Sequence, residues 1–228
     1  MTPELAYLIG VYLGDGSIVA NKQSLWFVLQ AIDQEFVEYT RSLCQKLVNE
    51  TVPEVHRYVY SSKNSSPVYK FVFSSGDFAS WMMNITACKT RIPREIDRTP
   101  GNPILKEFLS GFLDSDGFIC NNRRKSGRDN WNVGFGGIYA WIHEVADILR
   151  NEKCVVNGPW LIKRKKYYYD YRITPKSYAQ HGVDFKIHRK QEKLKQLRET
   201  KLNGNPPETV CHAPTKGEET VQQLEKSN

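Results

Sequence analysis

Two aspartates raise the question of chemistry. Asp15 closes the run Leu8-Ile9-Gly10-Val11-Tyr12-Leu13-Gly14-Asp15-Gly16, and Asp116 closes Leu109-Ser110-Gly111-Phe112-Leu113-Asp114-Ser115-Asp116-Gly117. Each precedes a glycine able to take the left-handed conformation that stops a helix. An acid in that place faces the negative end of the helix dipole and its open carbonyls. Two such acids, joined by the helix-end carbonyls of Gly14 and Ser115, make an all-oxygen set suited to Mg²⁺. A cation held this way activates water and stabilises a leaving oxygen on a phosphodiester. For the acids to meet, their helices must pack side by side about a pseudo-twofold axis. Gly10 and Gly111 are small enough to permit that approach.

The elements that would position the pair repeat along the chain. Thr2-Pro3 and Asn102-Pro103 each combine an N-cap residue with Pro at the first helical position. Apolar residues follow at helical spacing, Leu5, Leu8, Ile9 and Tyr12 in one copy and Leu105, Phe108, Leu109 and Phe112 in the other. The copies lie 101 residues apart. Ser17 to Ile32 reads as a hairpin turning near 21–23. Phe118 to Ile138 is a longer version, with Trp131 about where Trp26 sits. Helices are expected over about 33–50 and 139–153, second hairpins over about 54–75 and 155–174, and third helices over about 76–87 and 175–182. The expected fold class is α+β, two pseudo-symmetric α-β-β-α-β-β-α subdomains. They span 1–92 and 103–200, joined by a linker over 93–102 and followed by a mobile polar tail over 201–228.

Composition narrows the class. Apolar residues at 40% and charged residues at 25% are globular values. No run approaches the roughly 18 apolar residues of a membrane span, and the N-terminus lacks the marks of a signal peptide. Cys44, Cys88, Cys120, Cys154 and Cys211 are odd in number and scattered, which disfavours a disulfide framework or zinc site and implies an intracellular, reducing compartment. The formal charge of +7 is uneven, −1 over 1–114 and +8 over 115–228. Basic clusters at 123–128 and 163–166, the second running into tyrosines, point to a polyanion partner such as nucleic acid. Gly134-Phe135-Gly136-Gly137 lacks dinucleotide-motif spacing, and there is no nucleotide-hydrolysing P-loop.

The two Asp-Gly segments resemble the paired signature motifs of LAGLIDADG homing endonucleases in their single-chain form. The resemblance covers roughly 3–200. The second motif is near the consensus, whereas the first departs from it at Val11, Tyr12 and Leu13, with Leu13 replacing an acid that Asp114 retains. The resemblance implies a saddle whose two sheets lie in the DNA major groove, with the motif helices as the interface. It implies a site-specific double-strand break in a long asymmetric target, leaving short 3′ overhangs, made by a monomer, intron-encoded or free-standing. Asp15 and Asp116, helped by Gly14 and Ser115, would hold Mg²⁺ or another divalent ion such as Mn²⁺. A basic residue beyond each third helix would serve the scissile phosphates: Lys89, with Arg91 second, in half one, and Lys186, with His188 or Lys190 as alternatives, in half two. Gln30 would position the attacking water in half one; half two shows only Phe135-Gly136-Gly137 there.

Side chains alternate across a strand, so DNA contacts are expected from Ser17, Asn21, Gln23, Arg57, Lys63 and Lys70 in half one. In half two they are expected from Asn121, Arg123, Arg128, Asn132, Lys163, Lys165, Tyr169 and Arg172. Arg matches guanine, and Asn or Gln matches adenine. Rival readings on the same fold are a maturase binding intron RNA and a non-cleaving DNA-binding regulator. Retention of both Asp15 and Asp116 weighs against each.

Overall fold

The computed structural model describes residues 1–20, 24–59, 66–122, 129–138, 141–162 and 168–202. Half one runs α1 (Pro3–Leu13), β1 (Ser17–Ala20), β2 (Leu25–Ala31), α2 (Gln34–Leu47), β3 (His56–Tyr58), β4 (Val68–Ser74) and α3 (Gly76–Ile85). Half two runs α4 (Pro103–Ser115), β5 (Gly117–Asn121), β6 (Trp131–Gly137), α5 (Ile142–Asn151), β7 (Val156–Leu161), β8 (Tyr169–Ile173) and α6 (Pro175–His181), then α7 (His188–Leu202). The fold is α+β, with two similar halves in the expected element order. The addition is α7.

Local chemistry explains the starts of the two motif helices. The Thr2 side chain accepts from the Leu5 amide at 3.2 Å and the Asn102 side chain from the Ile104 amide at 2.8 Å, ahead of Pro3 and Pro103. From Ala6 to Leu13, α1 is buried on every side, as expected of a helix that is apolar all round. It crosses α4 with backbones in contact. A Cβ on Gly10 would lie 2.3 Å from the Phe108 carbonyl oxygen, and one on Gly111 would lie 2.1 Å from that of Tyr7. Only glycine fits at either point.

Each half folds its strands into an antiparallel sheet, in the orders β1-β2-β4-β3 and β5-β6-β8-β7. Phe27, Leu29, Phe71 and Phe73 fill one face of the first sheet, and Val133, Phe135, Tyr171 and Ile173 fill the matching face of the second. The opposite faces are open. Register decides which residues share them, because directly paired residues point the same way. Ser17 pairs with Val28 and Phe118 with Gly134, so Leu25 and Trp131 correspond. Trp131 therefore sits one position from the expected match with Trp26, and it is buried on the core face.

The segment between α3 and α4 contributes Ile92 and Ile96 to the core. In α7, Lys190, Leu194 and Leu197 form the one buried stripe of an otherwise charged helix. Among the described residues, no helix is long and apolar enough to cross a membrane.

Candidate active site

Asp15 and Asp116 lie at the foot of the crossing α1 and α4. A Cβ on Gly14 would lie 3.2 Å from Asp116 Oδ2 and 2.0 Å from Ser115 Oγ, so the two motif ends meet closely. Burial first, and then the charge of Asp15, push the Asp116 carboxyl up to about 7, while Lys89 and Lys190 oppose the shift. Asp15 is also raised by burial of its carboxyl, again opposed by Lys190 and Lys89, though the residue as a whole is exposed. Two carboxylates thus converge where each disfavours the other's charge. Among the described residues, no group of three or more His, Cys, Asp or Glu gathers as metal ligands. The Ser115 hydroxyl stands at the same junction, beside Gly14 and Asp116.

Two ammonium groups flank the acids. Lys89 Nζ donates to the carbonyls of Gly14 at 2.7 Å and Gly16 at 2.8 Å, and stands 5.3 Å from the centre of the Tyr12 ring. Burial lowers its pKa, and Asp116 and Asp15 pull it back up. Ala87, Cys88 and Lys89 are three consecutive residues with positive φ, a left-handed turn that aims Lys89 at the end of α1. The Lys89 carbonyl accepts from Trp141 Nε1 of half two at 2.9 Å.

In half two the equivalent place belongs to Lys190, not Lys186. Lys190 Nζ donates to the carbonyls of Leu113, Asp114 and Gly117 at 2.8, 2.6 and 2.8 Å. It is 6% exposed, and burial lowers its pKa to about 8. These bonds use all three donors of an ammonium. Of the residues expected to serve half two, Lys186 points elsewhere. Its side chain is exposed and pairs with Glu107 at 2.7 Å on the outer side of α4. His188 and Arg91 are also exposed; the His188 amide donates to Glu35 at 2.9 Å and Arg91 Nε to the Ile85 carbonyl at 3.3 Å.

Asp114 explains why the halves differ. It is buried, accepts from the Tyr7 hydroxyl at 2.8 Å and the Lys186 amide at 2.9 Å, and its carboxyl is raised by burial to about 6. It ties α1, α4 and the turn entering α7 together, and Leu13 is its buried apolar counterpart in half one.

The open sheet faces sort the expected DNA contacts. Ser17, Gln30 and Lys70 share the open face of half one, Gln30 being paired with Lys70. Asn132 and Arg172 share that of half two, where Arg172 lies 4.5 Å over the Phe118 ring. Register places three other expected contact residues on the opposite faces. Arg57 pairs with Tyr69, Asn121 with Trp131 and Tyr169 with Gly137, which puts all three on the helix-packed faces. Asn21, Gln23, Lys63, Arg123, Arg128, Lys163 and Lys165, like the tail over 203–228, lie outside the described residues.

This architecture is that of the LAGLIDADG homing endonucleases. The chain is similar to I-DmoI in complex with DNA and Ca, with a TM-score of 0.56 and 15% identity over 86% of this chain and 97% of that one. I-DmoI with DNA and Mn gives a TM-score of 0.54 at 15% identity, covering 79% and 96%. I-AabMI bound to uncleaved DNA gives 0.51 at 11% identity, covering 88% and 90%. At these identities the likeness establishes the fold. No family model matches. Two uncharacterized proteins of Methanocaldococcus jannaschii are 28% and 25% identical over 54% and 53% of the chain. The matches cover 41% and 43% of those longer relatives.

Proposed function

We propose that the chain is a divalent-cation-dependent, site-specific DNA endonuclease that breaks both strands of a long asymmetric target and leaves short 3′ overhangs. The observation that carries this reading is the convergence of Asp15 and Asp116 between the carbonyl-held ammoniums of Lys89 and Lys190. The fold is shared with homing endonucleases whose structures contain DNA, and two sheets of different composition fit two different half-sites.

The residues present fit a hard cation. Burial and Asp15 both disfavour charge on Asp116, and a positive charge between the acids would relieve that repulsion. Asp15 and Asp116, with the Gly14 and Ser115 carbonyls, would hold Mg²⁺ or Mn²⁺. Such an ion lowers the pKa of a bound water and stabilises charge on a leaving oxygen. The Gly14 carbonyl also accepts from Lys89, so ligand and ammonium share one helix end.

The chain's own residues do the rest. Lys190, with its donors engaged by three carbonyls, acts as a fixed positive charge near the phosphates and not as a proton donor. Lys89 supplies the matching charge in half one. Gln30, on the open face of β2, orients water toward the phosphate. Ser17, Lys70, Asn132 and Arg172 contact DNA from the open faces, Lys70 and Arg172 adding salt-dependent affinity.

Substitution tests the assignment. Asp15→Asn and Asp116→Asn should each abolish Mg²⁺-dependent cutting of the cognate duplex and leave Ca²⁺-supported binding within a few-fold. Undiminished cutting by either variant would remove that aspartate from the site. Tight, structure-dependent binding of intron RNA without any DNA cutting would instead support a maturase.

A further inference from the structure

Half two lacks a side chain where half one carries Gln30. The rung is fixed by register: Gln30 lies two residues beyond Val28, the partner of Ser17, and Gly136 lies two beyond Gly134, the partner of Phe118. On the neighbouring strand the rung continues to Lys70 in half one and to Asp170 in half two. The space above Gly136 is filled all the same. A Cβ built on Gly136 would lie 2.6 Å from Tyr168 Oη and 2.8 Å from both Cζ and Cε1. The phenol, arriving from the residue before β8, therefore sits where a side chain at 136 would begin.

Resting on the endonuclease reading, we propose that Tyr168 is a positioning residue of half two. Its hydroxyl does from the adjacent strand what the Gln30 amide does from β2, orienting the attacking water for one of the two strand cuts. A phenol both donates and accepts, as an amide does through two atoms. Burial, and after it the Asp116 and Asp170 carboxylates, raise the pKa of Tyr168. The group therefore stays a neutral hydroxyl, within electrostatic reach of Asp116. The glycine is part of the device, since any larger residue at 136 would displace the ring.

A covering role alone is the competing account: aromatic rings commonly lie over strand glycines, and Phe118 covers Gly134, coming within 2.6 Å of a Cβ built there. Tyr168→Phe separates the two accounts because it keeps the ring and removes the hydroxyl. The experiment is single-turnover cleavage of the cognate duplex, each strand labelled separately, with wild type, Tyr168→Phe, Gly136→Ala and Gln30→Ala. Melting of the metal-free proteins and Ca²⁺-supported DNA affinity are measured alongside. Tyr168→Phe should slow one strand on the order of 10- to 100-fold, so that nicked DNA accumulates. Gln30→Ala should nick the opposite strand, and Gly136→Ala the same strand as Tyr168→Phe. Affinity and melting of Tyr168→Phe should match wild type. Unchanged strand rates in Tyr168→Phe, or equal slowing of both strands, would overturn the proposal. Absence of cutting by wild type would instead refute the endonuclease reading on which it rests, so the two failures are distinct.

Discussion

Asp116→Asn should stabilise the metal-free protein at alkaline pH while destroying the proposed activity. The native carboxyl is raised to about 7 from an ordinary 3.8, chiefly by burial and then by Asp15. A group that holds its proton more tightly when folded contributes stability in full below its unfolded pKa. That contribution is lost as pH rises through the folded value. The window therefore runs from about pH 4 to about pH 7. A shift of roughly three units corresponds to about 4 kcal/mol at 1.36 kcal/mol per unit. Asp15 shares the repulsion, so about 2–4 kcal/mol belongs to Asp116 alone. For a domain of this size each kcal/mol moves the melting temperature by about 2–4 °C, which predicts a gap of roughly 5–15 °C at pH 8. The assay is thermal unfolding in EDTA from pH 4 to 8.5. Wild type should lose stability across that range, and Asp116→Asn should lose less and melt higher at pH 8. The curves should meet near pH 4. Added Ca²⁺ should raise wild type more than the variant, since a ligand stabilises only the state that binds it. Parallel pH curves, or a variant that melts lower at pH 8, would refute the electrostatic reasoning.

Gly111→Ala should destabilise the fold by about 3 kcal/mol or more, because its Cβ would meet the Tyr7 carbonyl oxygen at 2.1 Å and neither backbone can yield cheaply; denaturant melts check this, and a change below about 1 kcal/mol would contradict the contact. Lys190→Met should remove cutting at Mg²⁺ saturation, whereas Lys186→Met, which loses an exposed pair with Glu107, should stay within about 1 kcal/mol in stability and keep strand cleavage. Arg172→Ala should weaken DNA binding and reduce the slope of log affinity against log salt by about one if the guanidinium meets a phosphate, while Arg57→Ala, on the helix-packed face of β3, should change neither.

The motif helices were legible because their signals are local: an N-cap residue, Pro at the first turn, apolar spacing and a closing Asp-Gly, all twice over. Lys190 was harder to find because the halves reach the same place by different backbones. Lys89 arrives on three left-handed residues, and Lys190 on the first turn of α7. Position relative to the third helix therefore does not separate Lys186 from Lys190. The available signal was the i, i+4, i+7 stripe of Lys190, Leu194 and Leu197, thin because the rest of α7 is charged. Strand faces were ambiguous for a general reason: a slip of one residue reverses every side chain. That reversal moved Trp131 to the core and Arg57, Asn121 and Tyr169 to the helix side. Tyr168 was invisible to any residue-by-residue match, since its ring covers a glycine on another strand.

The central claim is that the acid pair cuts DNA at a defined sequence. The most direct measurement incubates the full chain with a randomised duplex library in Mg²⁺ or in EDTA and sequences the cut ends, with Asp15→Asn as control. Recurrent Mg²⁺-dependent breaks with short 3′ overhangs at one long asymmetric sequence, absent from EDTA and from the variant, are the predicted result. Sequence-specific binding of library duplexes with no Mg²⁺-dependent break, or breaks that persist in Asp15→Asn, would contradict the account.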